Sequence, residues 1–536
     1  MAKTTAKMTR KTTRKSADAK AVKTPKVADA LKKSRAKKTA PHIIVGALAG
    51  TGKTTTAIGG LNWLRGIQPE YTPSPQQQAV WDALAAEQYK AVCCVAFNKS
   101  IATELQSRVP EGVDAMTMHS MGMKAVREQF GRIQVSSWRV TDIISEITET
   151  DVRELRKFNN DMLKGTERLV GLCKLSLIDE TDTDLENILD GLCSHYDVEL
   201  NGSRDEVYEL VPKVLARCKE VDKDKRIDFN DMIWLPVVLS LPVKRYDLLI
   251  VDEAQDLNKC QQALAYKAGS RLMFVGDVNQ AIYGFAGADA ESMNRLEAEL
   301  GATDRGVTVL PLTVTRRCSK AVVADAQAYV PTFEAHESNL TGSVSEVSED
   351  RYVDLVQDGD MIVCRVNAPL VSQCFRFIAD GRKANIQGRD IGQGLVRLIK
   401  KQKCADDDMG GLMDKLSTWY FQECLKEAAK KNPSDARLIA LEDRYKCLTV
   451  FCDNATTVSG VITKIEDVFS DDKGEGIRLS SIHKAKGLES DRVFFFRTKD
   501  APCPHPMAKQ AWAKEQERNL CYVAITRAIE SLYYVK

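Results

Sequence analysis

The stretch His42-Ile43-Ile44-Val45-Gly46-Ala47-Leu48-Ala49-Gly50-Thr51-Gly52-Lys53-Thr54 decides the fold class. His42–Val45 is short and rich in β-branched residues, and reads as a buried strand. Gly46–Thr54 has the spacing of a phosphate-binding loop, with Ala47 in the first glycine position. Gly50 and Gly52 let the backbone curl so that its N–H groups converge on phosphate oxygens. A helix beginning near Lys53 adds its positive end. Lys53 is placed to neutralise β- and γ-phosphates, and Thr54 to offer its hydroxyl to Mg²⁺. A mere glycine-rich turn with a surface lysine would need neither the strand before it nor the helix after it.

A second stretch supports the first. Tyr246–Val251 is another apolar strand, and it runs into Asp252-Glu253-Ala254-Gln255-Asp256. Acidic residues just beyond a buried strand lie at the carboxyl edge of an open α/β sheet, where ligands bind. Asp252 is placed to hold Mg²⁺, and Glu253 to orient or deprotonate an attacking water. Further buried strands are expected at Ala91–Phe97, Leu272–Val275, Met361–Arg365, Arg478–Ile482, Val493–Phe496 and Leu532–Val535. Helical segments lie between several of them, and that alternation predicts parallel α/β sheets. Residues 121–225 and 396–475 break the alternation and read as helical, so each is expected to be an insertion into an α/β domain.

Composition excludes other classes. The 536 residues are 44% hydrophobic and 28% charged, which rules out a wholly disordered chain. No run of about 18 apolar residues occurs, which argues against a membrane-spanning helix. The first residues lack the apolar segment of a secretory signal. Fifteen cysteines without a compact framework read as reduced intracellular thiols. Cys404, Cys424, Cys447 and Cys452 lack the CxxC spacing of a zinc or iron–sulfur site and are expected to be buried thiols. Residues 1–40 hold 14 Lys or Arg against 2 Asp, whereas the remaining chain has 62 basic and 72 acidic residues. This arm has few large apolar side chains and is expected to be disordered, anchoring non-specifically on nucleic acid. A solubilising tail and an organelle transit segment are the alternatives.

Further motifs are strung along the chain. Gly46–Thr56 is succeeded by Ala96-Phe97-Asn98-Lys99-Ser100, Thr117-Met118-His119-Ser120, Asp252–Asp256, Gly276–Ala288, Leu312–Ser319, Ser481-Ile482-His483-Lys484-Ala485-Lys486-Gly487-Leu488-Glu489 and Glu517–Ala528. The ordered set resembles motifs I, Ia, Ib and II to VI of the superfamily 1A DNA helicases of the UvrD/Rep/PcrA type, and it spans the chain from Pro41 nearly to Lys536.

The resemblance implies an α/β fold of two RecA-like P-loop motor domains with parallel sheets, each carrying a mainly helical insertion, behind the disordered basic arm. The domains would be 1–40 (arm), 41–120 with 226–310 (first motor domain), 121–225 (its insertion), 311–395 with 476–536 (second motor domain) and 396–475 (its smaller insertion). ATP with Mg²⁺ would be held between the motor domains by Ala49, Gly50, Thr51, Gly52, Lys53, Thr54, Thr55 and Glu489, with Thr54 and Asp252 on the metal. Glu253, Gln280, Arg317 and Arg527 would be catalytic; arginines supplied across a cleft contribute about 10³–10⁵ in rate in such enzymes. Phe97, Asn98, His119, Tyr283, Phe285 and His483 would meet DNA, with Phe285 stacking on a base and Tyr283 either stacking or packing in the core.

Two positions depart from the family pattern. Arg316 stands where an adenine-stacking aromatic residue is usual, and the adenine-reading glutamine lies after the P-loop, not before it. Gln76 either contacts adenine from there or belongs to a capped surface helix. Asp228-Phe229-Asn230-Asp231-Met232-Ile233, which resembles a recurrent segment of these helicases, is read as packing only. The expected activity is ATP-driven 3′ to 5′ movement on single-stranded DNA with duplex unwinding; the alternatives are a protein-stripping translocase or a nucleotide-sensing ATPase serving a nuclease. Expected partners are single-stranded and tailed duplex DNA and a nuclease, repair or replication protein. The chain is expected to be a monomer in isolation and to act in the cytoplasm on DNA, with nucleus or organelle also compatible with the arm.

Overall fold

The computed structural model describes residues 39–536 apart from 70, 197, 199, 201–202, 283–291, 430–432, 434 and 470–475. The basic arm thus lies outside the described residues except for Thr39 and Ala40. Among the described residues no helix is long and apolar enough to cross a membrane.

Two six-stranded parallel sheets organise the chain. The first is built from β1 (His42–Ala47), β2 (Val92–Ala96), β3 (Val113–Thr117), β4 (Tyr246–Val251), β5 (Gly269–Gly276) and β6 (Val307–Leu312), in the order β3-β2-β4-β5-β1-β6. The second is built from β7 (Ser343–Val347), β8 (Met361–Cys364), β9 (Ala384–Gln387), β10 (Ile477–Ser481), β11 (Ser490–Phe496) and β12 (Ala528–Val535), in the order β7-β12-β11-β8-β10-β9. All neighbouring pairs within these sheets are parallel.

The eight strands expected from apolar runs are all present. Of the twelve strands in these two sheets, the four that apolar runs did not announce are β3, β6, β7 and β9, and these are the edges of the two sheets. An edge strand is covered on fewer sides, so it alternates or carries polar residues, as in Ser343-Val344-Ser345-Glu346-Val347. β6 even contains Pro311, which only an edge accommodates readily.

The first helical stretch comprises helices Met118–Phe130, Arg139–Thr148, Val152–Phe158, Asn160–Ser176, Leu185–Tyr196 and Arg204–Lys219. It shares one continuous core with the first sheet: Ile44, Cys93, Val95 and Met116 of the strands join Leu169, Val170, Val211 and Leu215 of the helices. The second stretch, with helices Arg389–Gln402, Met409–Ala428, Asp435–Asp453 and Val458–Val468, likewise packs Leu412, Leu448, Phe451 and Ile465 into the core around Ile362, Leu479 and Phe494. Cys447 and Cys452 are buried there, while Cys404 and Cys424 are half-buried.

One contact fixes how the first helical stretch meets the sheet. Helix Met118–Phe130 lies so close to helix Asp231–Val238 that a Cβ added at Gly122 would sit 2.0 Å from the Met232 carbonyl oxygen. Gly122→Ala is therefore expected to lower stability by about 1–3 kcal/mol through forced backbone displacement. Gly191→Ala, where a Cβ meets nothing within 4 Å in a helix, should be neutral or slightly stabilising. Urea unfolding midpoints of the two variants test the contrast.

Candidate functional site

Parallel strands place all their carboxyl ends on one edge. In the first sheet that edge gathers the loop after β1, Phe97-Asn98 after β2, Met118-His119 after β3, Asp252-Glu253 after β4 and Asp277–Gln280 after β5. The Gly50 and Gly52 backbones are left-handed, at φ 65° and 81°. Helix Lys53–Leu64 starts directly after Gly52 with no side-chain cap, so its first-turn N–H groups face the loop. A Cβ on Gly50 would lie 2.5 Å from the Arg317 Cβ, so only glycine lets the facing lobe approach this closely. The Thr51 hydroxyl donates to the Leu48 carbonyl at 2.8 Å and braces the loop from within. Thr55 is exposed, and its carbonyl accepts from the Tyr71 hydroxyl.

The charged centre is tightly paired. Lys53 Nζ lies 3.2 Å from Glu253 Oε1 and 3.3 Å from Oε2. Burial opposes the Lys53 charge, but Glu253, Asp252 and Asp277 outweigh it and raise the pKa. The Thr54 hydroxyl donates to Asp252 Oδ2 at 3.0 Å, and the Glu253 N–H donates to Asp252 Oδ1 at 2.9 Å. Burial and the neighbouring Glu253 push Asp252 up. Glu253 goes the other way despite its burial: Lys53 and Lys486 pull it down to about 2, so it is ionised at neutral pH. Glu253 also has a left-handed backbone, φ 53°, which a non-glycine residue adopts at a cost of about 1–3 kcal/mol. Gln255 holds it, donating to Glu253 Oε2 at 2.6 Å and accepting from the Asp277 N–H at 3.0 Å. The Gln280 side chain donates to Asp277 Oδ2 at 2.7 Å.

The second lobe closes over this centre. Lys486 Nζ pairs with Asp256 Oδ2 at 2.6 Å and donates to the Gln280 carbonyl at 2.8 Å. The Ala49 N–H donates to the Tyr522 hydroxyl at 3.0 Å, so this loop amide is engaged by the facing lobe. The Arg316 N–H donates to the Gly50 carbonyl at 3.1 Å, and Asn519 reaches the Ala281 carbonyl at 3.1 Å. Arg317 Nε sits 2.6 Å from Glu489 Oε2. Arg527 is fully buried. It donates to the Val523 and Leu488 carbonyls and to the Thr526 hydroxyl, which leaves it pinned within its own lobe beside Arg317. Burial, then Arg317, pulls its pKa down to about 10. Glu489 and Arg527 precede β11 and β12, at the amino edge of the second sheet, whereas His483 follows β10 at the opposite edge. Burial and Arg365 bring the His483 pKa down to about 3.

The residues expected to meet DNA divide. Phe97 is 50% exposed, while the Asn98 side chain caps helix Lys99–Arg108 by accepting from the Ile101 N–H. His119 stacks on Phe229, with ring centroids 4.1 Å apart and planes at 24°. Burial lowers the His119 pKa to about 4, so the ring is neutral at pH 7. Tyr283 and Phe285 lie outside the described residues. Within the segment read as packing only, Asp231 and Ile233 are buried but Phe229 is 59% exposed. A lone aromatic flanked by Asp228, Asn230 and Asp231 was the available signal. Gln255 was also missed, as were Lys486 and Tyr522, which act through contacts between segments distant in sequence. Gln76 is bound at both ends by Thr313, at 2.9 Å each, and begins a helix with a Ser74–Gln77 capping box.

The Lys486–Asp256 pair is buried on both sides. Lys486→Met should cost about 3–5 kcal/mol by stranding the carboxylate, and Asp256→Asn in the same chain should restore part of it. Denaturant midpoints of the single and double variants check this.

A family model of the UvrD/REP helicase N-terminal domain matches residues 29–301, and one of the UvrD-like helicase C-terminal domain matches residues 476–535. DNA helicase II of Rickettsia typhi is 21% identical over 564 residues, covering 82% of this chain and 84% of that protein. The ATP-dependent DNA helicase PcrA of Staphylococcus aureus is 21% identical over 578 residues, covering 82% of this chain and 76% of that one. Among solved structures, an arterivirus nonstructural protein 10 (helicase) matches at 15% identity and a TM-score of 0.25, over 54% of this chain and 38% of that one. With half of its length matched by the N-terminal model and its last strands by the C-terminal one, the chain belongs to the UvrD/REP helicase family.

Proposed function

We propose that this chain is an ATP-driven translocase that moves 3′ to 5′ on single-stranded DNA and unwinds duplexes. The observation that carries the reading is the cleft in which Lys53 and Glu253 of one lobe face Lys486, Arg317 and Tyr522 of the other. Direction and unwinding rest on the family; the chemistry rests on the site.

Two cations expected to meet a triphosphate are each held by a carboxylate: Lys53 by Glu253, Arg317 by Glu489. Mg·ATP, when bound, supplies the phosphoanhydride whose hydrolysis drives the cycle. Thr54 and Asp252, already hydrogen-bonded to each other, are the residues that would hold the metal ion. Lys53 and Arg317 would exchange their carboxylates for phosphate oxygens. Glu253, released from Lys53 but still held by Gln255, would then be oriented to position water and take its proton. Because Arg317 and Lys486 come from the second lobe, the catalytic set is complete only when the lobes are together, which ties turnover to their relative motion.

The strand would cross the carboxyl edge of the first sheet, where Phe97 and Phe229 are exposed and half-buried His119 stacks on Phe229. Base stacking contributes about 1–3 kcal/mol per base and tolerates any sequence, which suits a translocase. The basic arm would add salt-sensitive affinity for DNA phosphates.

ATPase rates with single-stranded DNA, duplex DNA and RNA, and then unwinding of 3′- and 5′-tailed duplexes, test the reading. Single-stranded DNA should stimulate most, the 3′-tailed substrate should be unwound, and Lys53→Ala should abolish turnover while the chain stays folded. Stimulation by DNA that survives Lys53→Ala would overturn it.

A further inference from the structure

A buried ion cluster lies directly behind the exposed ring of Phe229. Lys174, from helix Asn160–Ser176, is completely buried; its Nζ is 2.5 Å from Asp228 Oδ2 and 2.7 Å from Asp231 Oδ1. Arg139, from helix Arg139–Thr148, is buried too and reaches Asp231 Oδ2 at 2.7 Å and Asp224 Oδ2 at 3.4 Å. The two aspartates close a reciprocal loop: the Asp228 N–H donates to Asp231 Oδ2, and the Asp231 N–H donates to Asp228 Oδ1, both at 2.8 Å. Between them the backbone turns both carboxylates inward and leaves Phe229 projecting outward, 59% exposed, against His119.

Burying four charges is expensive, and apolar residues of similar volume would commonly hold a fold as well or better. The cluster is therefore weakly explained by stability alone. What it does provide is a fixed geometry for the short turn Asp228–Asn230 that leads into helix Asp231–Val238. The other half of the platform is fixed independently, because Gly122 presses helix Met118–Phe130, which begins beside His119, onto the Met232 carbonyl just beyond the loop.

We infer that Asp228, Asp231, Lys174 and Arg139 form a positioning device through which the first helical stretch presents Phe229, stacked on His119, to a base of the bound strand. The inference rests on the stacking role assigned to Phe229 above. Lys174 and Arg139 touch neither nucleotide nor strand; they act through the aspartates. The helical stretch thereby sets the grip of the motor lobe on DNA without contacting DNA at this point.

The test is a double-mutant cycle between Asp228→Ala and Phe229→Ala in the full chain. The readout is the concentration of a thymidine oligonucleotide that gives half-maximal ATPase stimulation, with thermal unfolding monitored alongside. Asp228→Ala should raise that concentration about tenfold, within the range that loss of one base stack produces, and should leave the DNA-saturated and DNA-free rates unchanged. In the Phe229→Ala background the same substitution should have no further effect on DNA affinity. If Asp228→Ala fails to fold, Asp228→Asn retains an acceptor for the Asp231 N–H while removing the charge that faces Lys174, and enters the same cycle. An equal loss of affinity in both backgrounds, or none in the first, would overturn the positioning role while leaving the stacking role intact. A Phe229→Ala chain with undiminished DNA affinity would overturn the stacking role, and the inference with it.

Discussion

The ion pair between Lys486 and Asp256 is the contact on which the geometry of the cleft depends. It joins the segment after β10 of one sheet to the segment after β4 of the other, and the same ammonium also caps the Gln280 carbonyl. Both side chains are almost fully removed from water, so neither can relax into solvent without the lobes parting. Burial pushes Asp256 up to about 6 even against the pull of Lys486, so loss of that cation would push it higher still. A contact of this kind has two favourable states, engaged or solvated, and little between. Such a contact would suit a cleft that closes and opens.

The cleft is also balanced in charge. Positive groups that would otherwise repel across it, Lys53 and Lys486 near Glu253 and Arg317 beside Arg527, are each held near a carboxylate or a backbone carbonyl. The strained backbone at Glu253 fits the same pattern. A residue held in the left-handed region by Gln255, Lys53 and Asp252 is fixed by its surroundings, and such over-determination is what pre-organises a catalytic acid or base. The two lobes therefore meet as a pre-arranged set of paired charges in which an incoming polyanion has cations to bind and carboxylates to displace.

Central strands and the P-loop were legible because their physics is local. An apolar run such as Leu248–Val251, short and rich in branched aliphatic residues, reads as a strand buried on both faces, and glycines two apart before a lysine allow only a few backbone paths. The edge strands escaped because half-exposure removes the apolar run, as Ala384–Gln387 illustrates. Long-range partners escaped for a different reason. Nothing near Lys486 or Tyr522 announces Asp256 or Ala49, which lie 230 and 473 residues away. Asp228–Asp231 shows the intermediate case: its reciprocal hydrogen bonds are local, but the buried cations that draw its carboxylates inward, and so push Phe229 out, come from helices more than fifty residues upstream.

The most direct measurement is a structure of the chain trapped with Mg·ADP and aluminium fluoride on a single-stranded oligonucleotide. The fluoride group is expected to lodge between Lys53 Nζ and the Arg317 guanidinium, with Glu253 and Glu489 released from those two cations. A nucleotide bound with Arg317 still paired to Glu489, and with Lys486 and Asp256 far apart, would contradict that expectation.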